Sequence, residues 1–523
     1  MLDKALFSPI DYQAGSLIYK SVNGQSDDLL IFYCYLAASL RHGSLFVTSC
    51  DKMLVPALDF EQSVLQSAYK GYLLASSLQS PYVVSSNQTI ALASASLLSR
   101  DFVQKISQFQ TKSPDLPIDL QRLVHSLTDL QAQNKLLPEQ AAAITEALQS
   151  SISCIWGGPG TGKTYTAGWL VKLFLEQYPG ARIVLAAPTG KAAANLHESI
   201  QRLAPGANTN IESKTLHSLL GLKRVQKNYI KSSLGYDLVL VDESSMIDIS
   251  LFNKLLASLD DTARIVFLGD PFQLPPVEPG EPFVALVDEK KQKKASGELI
   301  TTKRQENHAI IDLAAAVKEG DISCALDILQ NNSDVLTWLE LDDRLIAVES
   351  LGKQHNISSN MTIESFFASL LDTRLLCPQR IGPCGTVAIN KRLLQASNTL
   401  FEPIIITKND YTLGLTNGQV GVISNDFAYF ETYETTKTLK AIPKILLSSY
   451  ETAYCLSVHK SQGSEFGHVI LLLPEGSERF GRKMLYTAIT RAKKKLTIYA
   501  SRATLERCII QDGRPTTTFL SRS

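Results

Sequence analysis

The segment GGPGTGKT, Gly157 to Thr164, carries the residue types and spacing of a phosphate-binding loop. It fits G-x-x-x-x-G-K-[ST] in full and lies between an apolar run, SISCIW, and an amphipathic stretch, AGWLVKLFLEQ. Gly157, Gly158, Gly160 and Gly162, with Pro159 and Thr161 between them, let the backbone curl so that successive N–H groups point at phosphate oxygens. Lys163 would neutralise the β- and γ-phosphates of ATP, and Thr164 would ligate Mg²⁺. Such a loop needs an acid at the end of a neighbouring strand, and LVLVDESS supplies Asp242 for the metal shell. Glu243 beside it is placed to orient and deprotonate an attacking water, which implies hydrolysis. ARIVFLGDPFQLPPV presents Gln273 beyond a strand's carboxyl end, where its amide can meet a γ-phosphate oxygen and that water.

Weaker signals surround these. Gln140, in LPEQAAAITEAL, matches the hydrogen-bonding edge of adenine, although a Gln opening a helix is more often a solvated side chain. A charged transition state also needs cationic donors from the far side of the nucleotide. Arg304, in LITTKRQENHAI, and Arg491, in LYTAITRAKKKL, are the candidates. Either, taken alone, is more often a surface charge.

The elements that must hold these residues follow from the apolar pattern. SISCIW, ARIVLAAP, YDLVLVDE and ARIVFLGD are short apolar runs bounded by Gly, Pro or Asp, and they alternate with helical stretches. That is the pattern of buried parallel strands covered on both faces, an α/β doubly wound domain. A less regular charged tract occupies 285–300, and a second strand set follows in TRLLCPQ, HVILLLP and KKLTIYAS. Alternation and turn signals between 403 and 450 predict a small β-rich insert. Residues 1–115 carry helix-like spacing, as in LLIFYCYLAASL and TIALASASLL, and no chemical motif. The expected division is a helical domain at 1–115, a first ATPase domain at 116–300, a second domain at 301–395 and 451–523, and the insert at 396–450.

GGPGTGKT, APTGKAAANL, TLHSLLG, DESSM, GDPFQLPPVEPG, VHKSQGSEF and YTAITRAKKKL stand in the order of superfamily 1 helicase motifs, and the chain resembles the RecD family. LLCPQRIGPCGTVAIN and NDYTLGLTNGQVGVI sharpen that resemblance, which covers roughly 135–510. It implies two RecA-like P-loop domains with ATP bound between them and 5′-to-3′ movement on single-stranded DNA. It makes Gln140 the adenine reader, Arg304 and Arg491 the γ-phosphate contacts, and Glu465 with Gly463 part of the segment coupling nucleotide to DNA. It puts Pro188, Thr189, Thr215, His217, His459 and Ser461 on or near the DNA channel. It further implies RecB- and RecC-like partners in an exonuclease V heterotrimer that works on duplex ends, with residues 1–115 docking to a partner. LKRVQKNYIKSSLGYD, 222–237, is a candidate strand-separating hairpin.

Bulk composition sets limits on these readings. A chain of 523 residues exceeds a single core, which stops growing near 250–300 residues. Lys plus Arg and Asp plus Glu number 51 each, so contacts with a polyanion must come from local basic surfaces. The eight cysteines have no zinc-knuckle or redox spacing and read as buried thiols of a reducing cytoplasm. MLDKALFSPIDYQ lacks the build of a signal peptide, and no apolar run approaches the ~20 residues of a membrane span, so a cytoplasmic protein is expected. Two other functions fit part of the pattern: a stand-alone helicase, and a DNA-binding protein that ATP merely switches.

Overall fold

The computed structural model describes residues 7–512 apart from 25, 51–52, 56–61, 76–80, 87–88, 204–209, 223–232, 303–307, 342–361, 397–400, 411 and 432–437. The candidate hairpin falls largely at 223–232, and Arg304 at 303–307, so both lie outside the described residues.

The apolar runs of the first half become a six-stranded parallel sheet. Its order is Glu298–Leu299, Ile152–Gly157, Arg264–Gly269, Leu238–Val241, Ile183–Ala187, Ile211–Thr215. Successive side chains of a strand point to opposite faces, and here both faces are covered. Ile155, Leu185, Leu240 and Val266 pack with Leu170 and Phe174 of the helix Lys163–Gln177. Trp156, Val184, Val239 and Phe267 face the other way, onto Phe252 and Phe283. Burial on both sides is why these strands read as unbroken apolar runs, each such side chain contributing roughly 1.5–3 kcal/mol. The charged tract at 285–300 is more regular than its composition suggests. Pro282 opens the helix Pro282–Gln292, where a fixed φ and a missing N–H do no harm, and Glu298–Leu299 then adds the sixth strand beside Trp156 and Gly157.

The second sheet is also parallel, in the order Leu336–Leu339, Ala492–Ala500, Phe466–Leu473, Thr373–Cys377, Cys455–Ser457. Val469, Leu471 and Ile498 pack on Leu313, Leu485 and Leu505, while Ile470, Leu472 and Tyr499 face Phe366, Ile389 and Leu393. The β-rich insert is an antiparallel sheet ordered Leu439–Pro443, Phe427–Glu431, Val420–Ser424, Phe401–Ile406, Tyr450–Thr452. Its turn reaches the first lobe: a Cβ at Gly190 would lie 3.0 Å from the Thr416 hydroxyl.

The N-terminal region is helical as expected, with Pro9–Ser21, Asp27–Arg41 and Gln62–Leu74, but it also holds a four-stranded antiparallel sheet. TIALASASLL, read as helix throughout, divides in two. Thr89–Leu92 pairs as a strand with Val47–Thr48 and Val83–Ser86, and the helix Ala93–Thr111 begins where β-branched residues give way to Ala, Ser and Leu. That helix leaves the N-terminal core. Its Phe102, Ile106 and Phe109 join the apolar cluster of Phe252 and Phe283 under the first sheet, and Leu98 O accepts a bond from Asn253 Nδ2 at 2.9 Å.

Candidate nucleotide and nucleic-acid site

The phosphate loop links the strand Ile152–Gly157 to the helix Lys163–Gln177. Gly162 stands just before the helix with φ 86°, a left-handed conformation that glycine adopts without strain. Lys163 Nζ donates to Gly157 O at 2.8 Å and to Gly158 O at 2.9 Å, so the cation lies over the loop's own carbonyls. Thr161 Oγ1 donates to Gly158 O at 2.9 Å. Thr164 is half-buried in the first helical turn. Gln140 is fully buried against the same loop: its Oε1 accepts from Leu137 N at 3.0 Å and its Nε2 donates to Thr161 O at 3.3 Å.

Asp242 and Glu243 follow the strand Leu238–Val241. The Asp242 carboxyl is pushed up to about 7, first by burial and then by the Glu243 carboxylate, while the Glu243 N–H and the Lys163 cation pull it down. A carboxylate so poorly solvated gains from a nearby divalent cation, which fits Mg²⁺. Glu243 itself sits at φ 51°, rare for a residue with a side chain, and its N–H donates to Asp242 Oδ1 at 2.8 Å. Non-glycine residues held in this region cluster at functional sites. Beyond the strand Arg264–Gly269, Asp270 accepts from Phe272 N at 3.0 Å, and Gln273 is 6% exposed with its Oε1 buried and unbonded. An orphaned acceptor there fits a water or hydroxyl donor that arrives with the nucleotide.

The second lobe meets these groups with the segments that precede its strands. Arg491, 3% exposed, lies just before Ala492–Ala500. Its guanidinium donates to Thr487 O, Ser464 O and Thr490 Oγ1 at 3.1, 3.2 and 3.3 Å. Burial lowers its pKa, opposed by Glu243 and Asp270 of the first lobe and by Tyr486. Leu274 is gripped from both sides: its N–H donates to Thr487 Oγ1 at 2.9 Å and its carbonyl accepts from Gln462 Nε2 at 3.3 Å. Lys191 Nζ donates to Ser464 Oγ at 2.9 Å, and Lys483 pairs with Glu281 at 2.7 Å. A Cβ at Gly463 would stand 3.7 Å from the Thr189 hydroxyl and 3.9 Å from Glu243 Oε1.

The expected DNA-side residues are more dispersed. Pro188 and Thr189 follow the strand Ile183–Ala187, and Thr189 Oγ1 accepts from Ala192 N at 3.3 Å. Thr215 caps a short helix by accepting from Ser218 N at 3.2 Å, with His217 exposed on that helix. His459 is half-buried, whereas Ser461 is 0% exposed and its hydroxyl donates to Val458 O at 2.8 Å. Glu465 pairs with Lys493 at 3.3 Å. Sequence reasoning passed over Asp270, Gln462, Tyr486 and Thr487, although each lies inside a quoted motif: GDPFQ, HKSQG or LYTAITRA.

A phosphate loop in one parallel-sheet lobe, met by a second parallel-sheet lobe that buries Arg491, is the architecture of a superfamily 1 helicase. The AAA domain family profile matches residues 135–338, and that of the UvrD-like helicase C-terminal domain matches 452–499. The chain is 32% identical over 410 residues to the RecBCD enzyme subunit RecD of Mycolicibacterium smegmatis, covering 71% of this chain and 72% of that one. It is 30% identical to the ATP-dependent RecD2 DNA helicase of Deinococcus radiodurans, covering 70% of this chain and 49% of that one. A crystal structure of Pif1 helicase from Bacteroides with ADP-AlF3 and ssDNA aligns at TM-score 0.42 and 16% identity, over 74% of this chain and 94% of that one. The chain belongs to the RecD family and is an ATP-dependent DNA helicase. No helix among the described residues is long and apolar enough to cross a membrane.

Proposed function

We propose that the chain moves 5′ to 3′ along single-stranded DNA from duplex ends, as the alpha subunit of a heterotrimer with RecB- and RecC-like partners in double-strand break repair and recombination. The observation that carries the ATP-driven part of this reading is Arg491 of one lobe, 3% exposed and bonded to Ser464 O, next to Gly463, where a Cβ would stand 3.9 Å from Glu243 Oε1 of the other. Nucleotide entering between Lys163 and Arg491 draws the lobes together, and hydrolysis loosens them; a strand advances when each lobe grips it more tightly in alternate states. In the working division, the lobes are 116–300 and 301–395 with 451–523, the insert is 396–450, and the partner-docking region is 1–115. The helix Ala93–Thr111 bridges that region to the first lobe.

Gln140 reads adenine by exchanging its bond to the loop for one to the base, and Gly157 to Thr164 hold the phosphates. Thr164 and Asp242 would hold Mg²⁺, which would screen phosphate charge. Glu243 takes the proton of the attacking water and Gln273 orients it. Arg491 and Arg304 stabilise the transition-state charge. Glu465, tied to Lys493, sits in the segment that links nucleotide to strand. Thr189, Thr215, His217 and His459 lie along the strand and grip phosphates without reading sequence, Pro188 lines it beside Thr189, and Ser461 shapes the loop that carries His459.

The test uses the purified chain, alone and co-expressed with RecB- and RecC-like subunits. ATP turnover is expected to rise with single-stranded DNA, and duplexes with a 5′ tail to be opened in preference to those with a 3′ tail. Equal opening of both would remove the polarity. The M. smegmatis and other relatives are named as RecBCD subunits and the D. radiodurans relative as an ATP-dependent RecD2 DNA helicase. Co-purification with the large subunits is expected here, and its failure would favour the stand-alone reading.

A further inference from the structure

Tyr486 reaches from the second lobe into the heart of the site, yet no step above employs it. Its side chain is 4% exposed, and its hydroxyl donates to Asp270 Oδ2 at 2.9 Å. The same oxygen lies 3.5 Å from Gln273 Nε2, the outer limit of a hydrogen bond. The hydroxyl also lies against the phosphate loop: a Cβ at Gly158 would stand 3.4 Å from it, in ordinary contact. Phe272 braces the ring edge-on, with centroids 6.4 Å apart.

With the buried Tyr486 hydroxyl already donating to Asp270 Oδ2, the 3.5 Å contact from Gln273 Nε2 to the same oxygen is a weak one. Gln273 is therefore kept beside Asp270 without being locked to it, and its Oε1 stays unbonded. We propose that Tyr486 is a positioning residue for ATP hydrolysis: by occupying Asp270 Oδ2 from the opposite lobe, it leaves the Gln273 amide free to orient the attacking water, and only while the lobes are closed. This rests on the water-orienting role given above to Gln273 and adds the control that the second lobe exerts on it. Without the hydroxyl, Asp270 would draw in the Gln273 amide and hold it away from the water. Burial, and then the Asp270 charge, push the Tyr486 hydroxyl well above its usual range, so it remains a donor through neutral and mildly alkaline pH.

Tyr486→Phe removes one oxygen and keeps the ring. Its kcat for DNA-stimulated ATP hydrolysis is expected to fall about tenfold, with KM for ATP held within about twofold and the melting temperature unchanged. Gln273→Ala is expected to reduce kcat far less in the Tyr486→Phe background than in the wild type, since both act through one group. The ratio of variant to wild-type kcat should stay flat from about pH 6.5 to 9. Unchanged kcat, or effects of the two substitutions that multiply, would overturn the proposal. A wild-type chain without DNA-stimulated turnover would instead overturn the reading beneath it, so the two failures are separable.

Discussion

In the first lobe the reactive groups follow strands: Gly157, Asp242, Asp270 and Thr189 all stand at or just past carboxyl ends. In the second lobe they come before strands, with Ser464 and Glu465 ahead of Phe466–Leu473 and Arg491 ahead of Ala492–Ala500. Ligands of open α/β sheets usually bind at carboxyl ends; the first lobe keeps to that rule, while the second adds Arg491 from the amino end of a strand. The pairing teaches that the lobes have unequal tasks. One is a complete phosphate cradle with an acid pair, and the other brings a buried cation and the hydrogen bonds that clasp Leu274.

Unequal tasks should be separable by substitution. Lys163→Gln is expected to abolish both nucleotide affinity and hydrolysis, measured by nucleotide titration and phosphate release. Arg491→Ala should slow hydrolysis by roughly 10³-fold while leaving nucleotide affinity within a few-fold. If Arg491→Ala lost affinity as severely as Lys163→Gln, the division of labour between the two edges would collapse. Glu243→Gln is expected to reduce turnover by roughly 10²–10⁴-fold and, with ATP present, to leave a long-lived complex on single-stranded DNA. Near-normal turnover there would move the base elsewhere. The smallest effect belongs to the clasp: Lys483→Ala breaks the part-buried pair with Glu281 and should lower stability by about 1 kcal/mol in thermal melts. No change in melting would make that pair incidental to how the lobes meet.

Much of this was legible in the residues because strand burial on two faces writes itself as unbroken apolar runs. The runs at 151–156, 181–188, 236–243 and 263–270 appear as strands within a residue or two of the expected places. Ile211–Thr215 was not visible, since an edge strand reading IESKT is only partly buried and carries no such run. Glu298–Leu299 was too short to register, and the N-terminal sheet hid in a stretch where Thr-Ile gave way to Ala and Ser within a few residues. The phosphate loop and the Asp242–Glu243 pair announce themselves by type and spacing. Asp270, Tyr486, Gln462 and Thr487 do not, because their importance lies in contacts between segments some two hundred positions apart. Nothing local distinguishes a tyrosine that spans two lobes from one that fills a core.

Phe102, Ile106 and Phe109 are embedded in the same apolar mass as Phe252 and Phe283, and this sets the mechanical frame of reference. The described N-terminal helices and sheet are anchored to the ATPase lobe through the helix Ala93–Thr111, which cannot swing without opening that lobe's interior. On the proposed mechanism, a partner that grasps the N-terminal helices would immobilise the phosphate cradle too, and the stroke of each turnover would be delivered by the other half of the molecule.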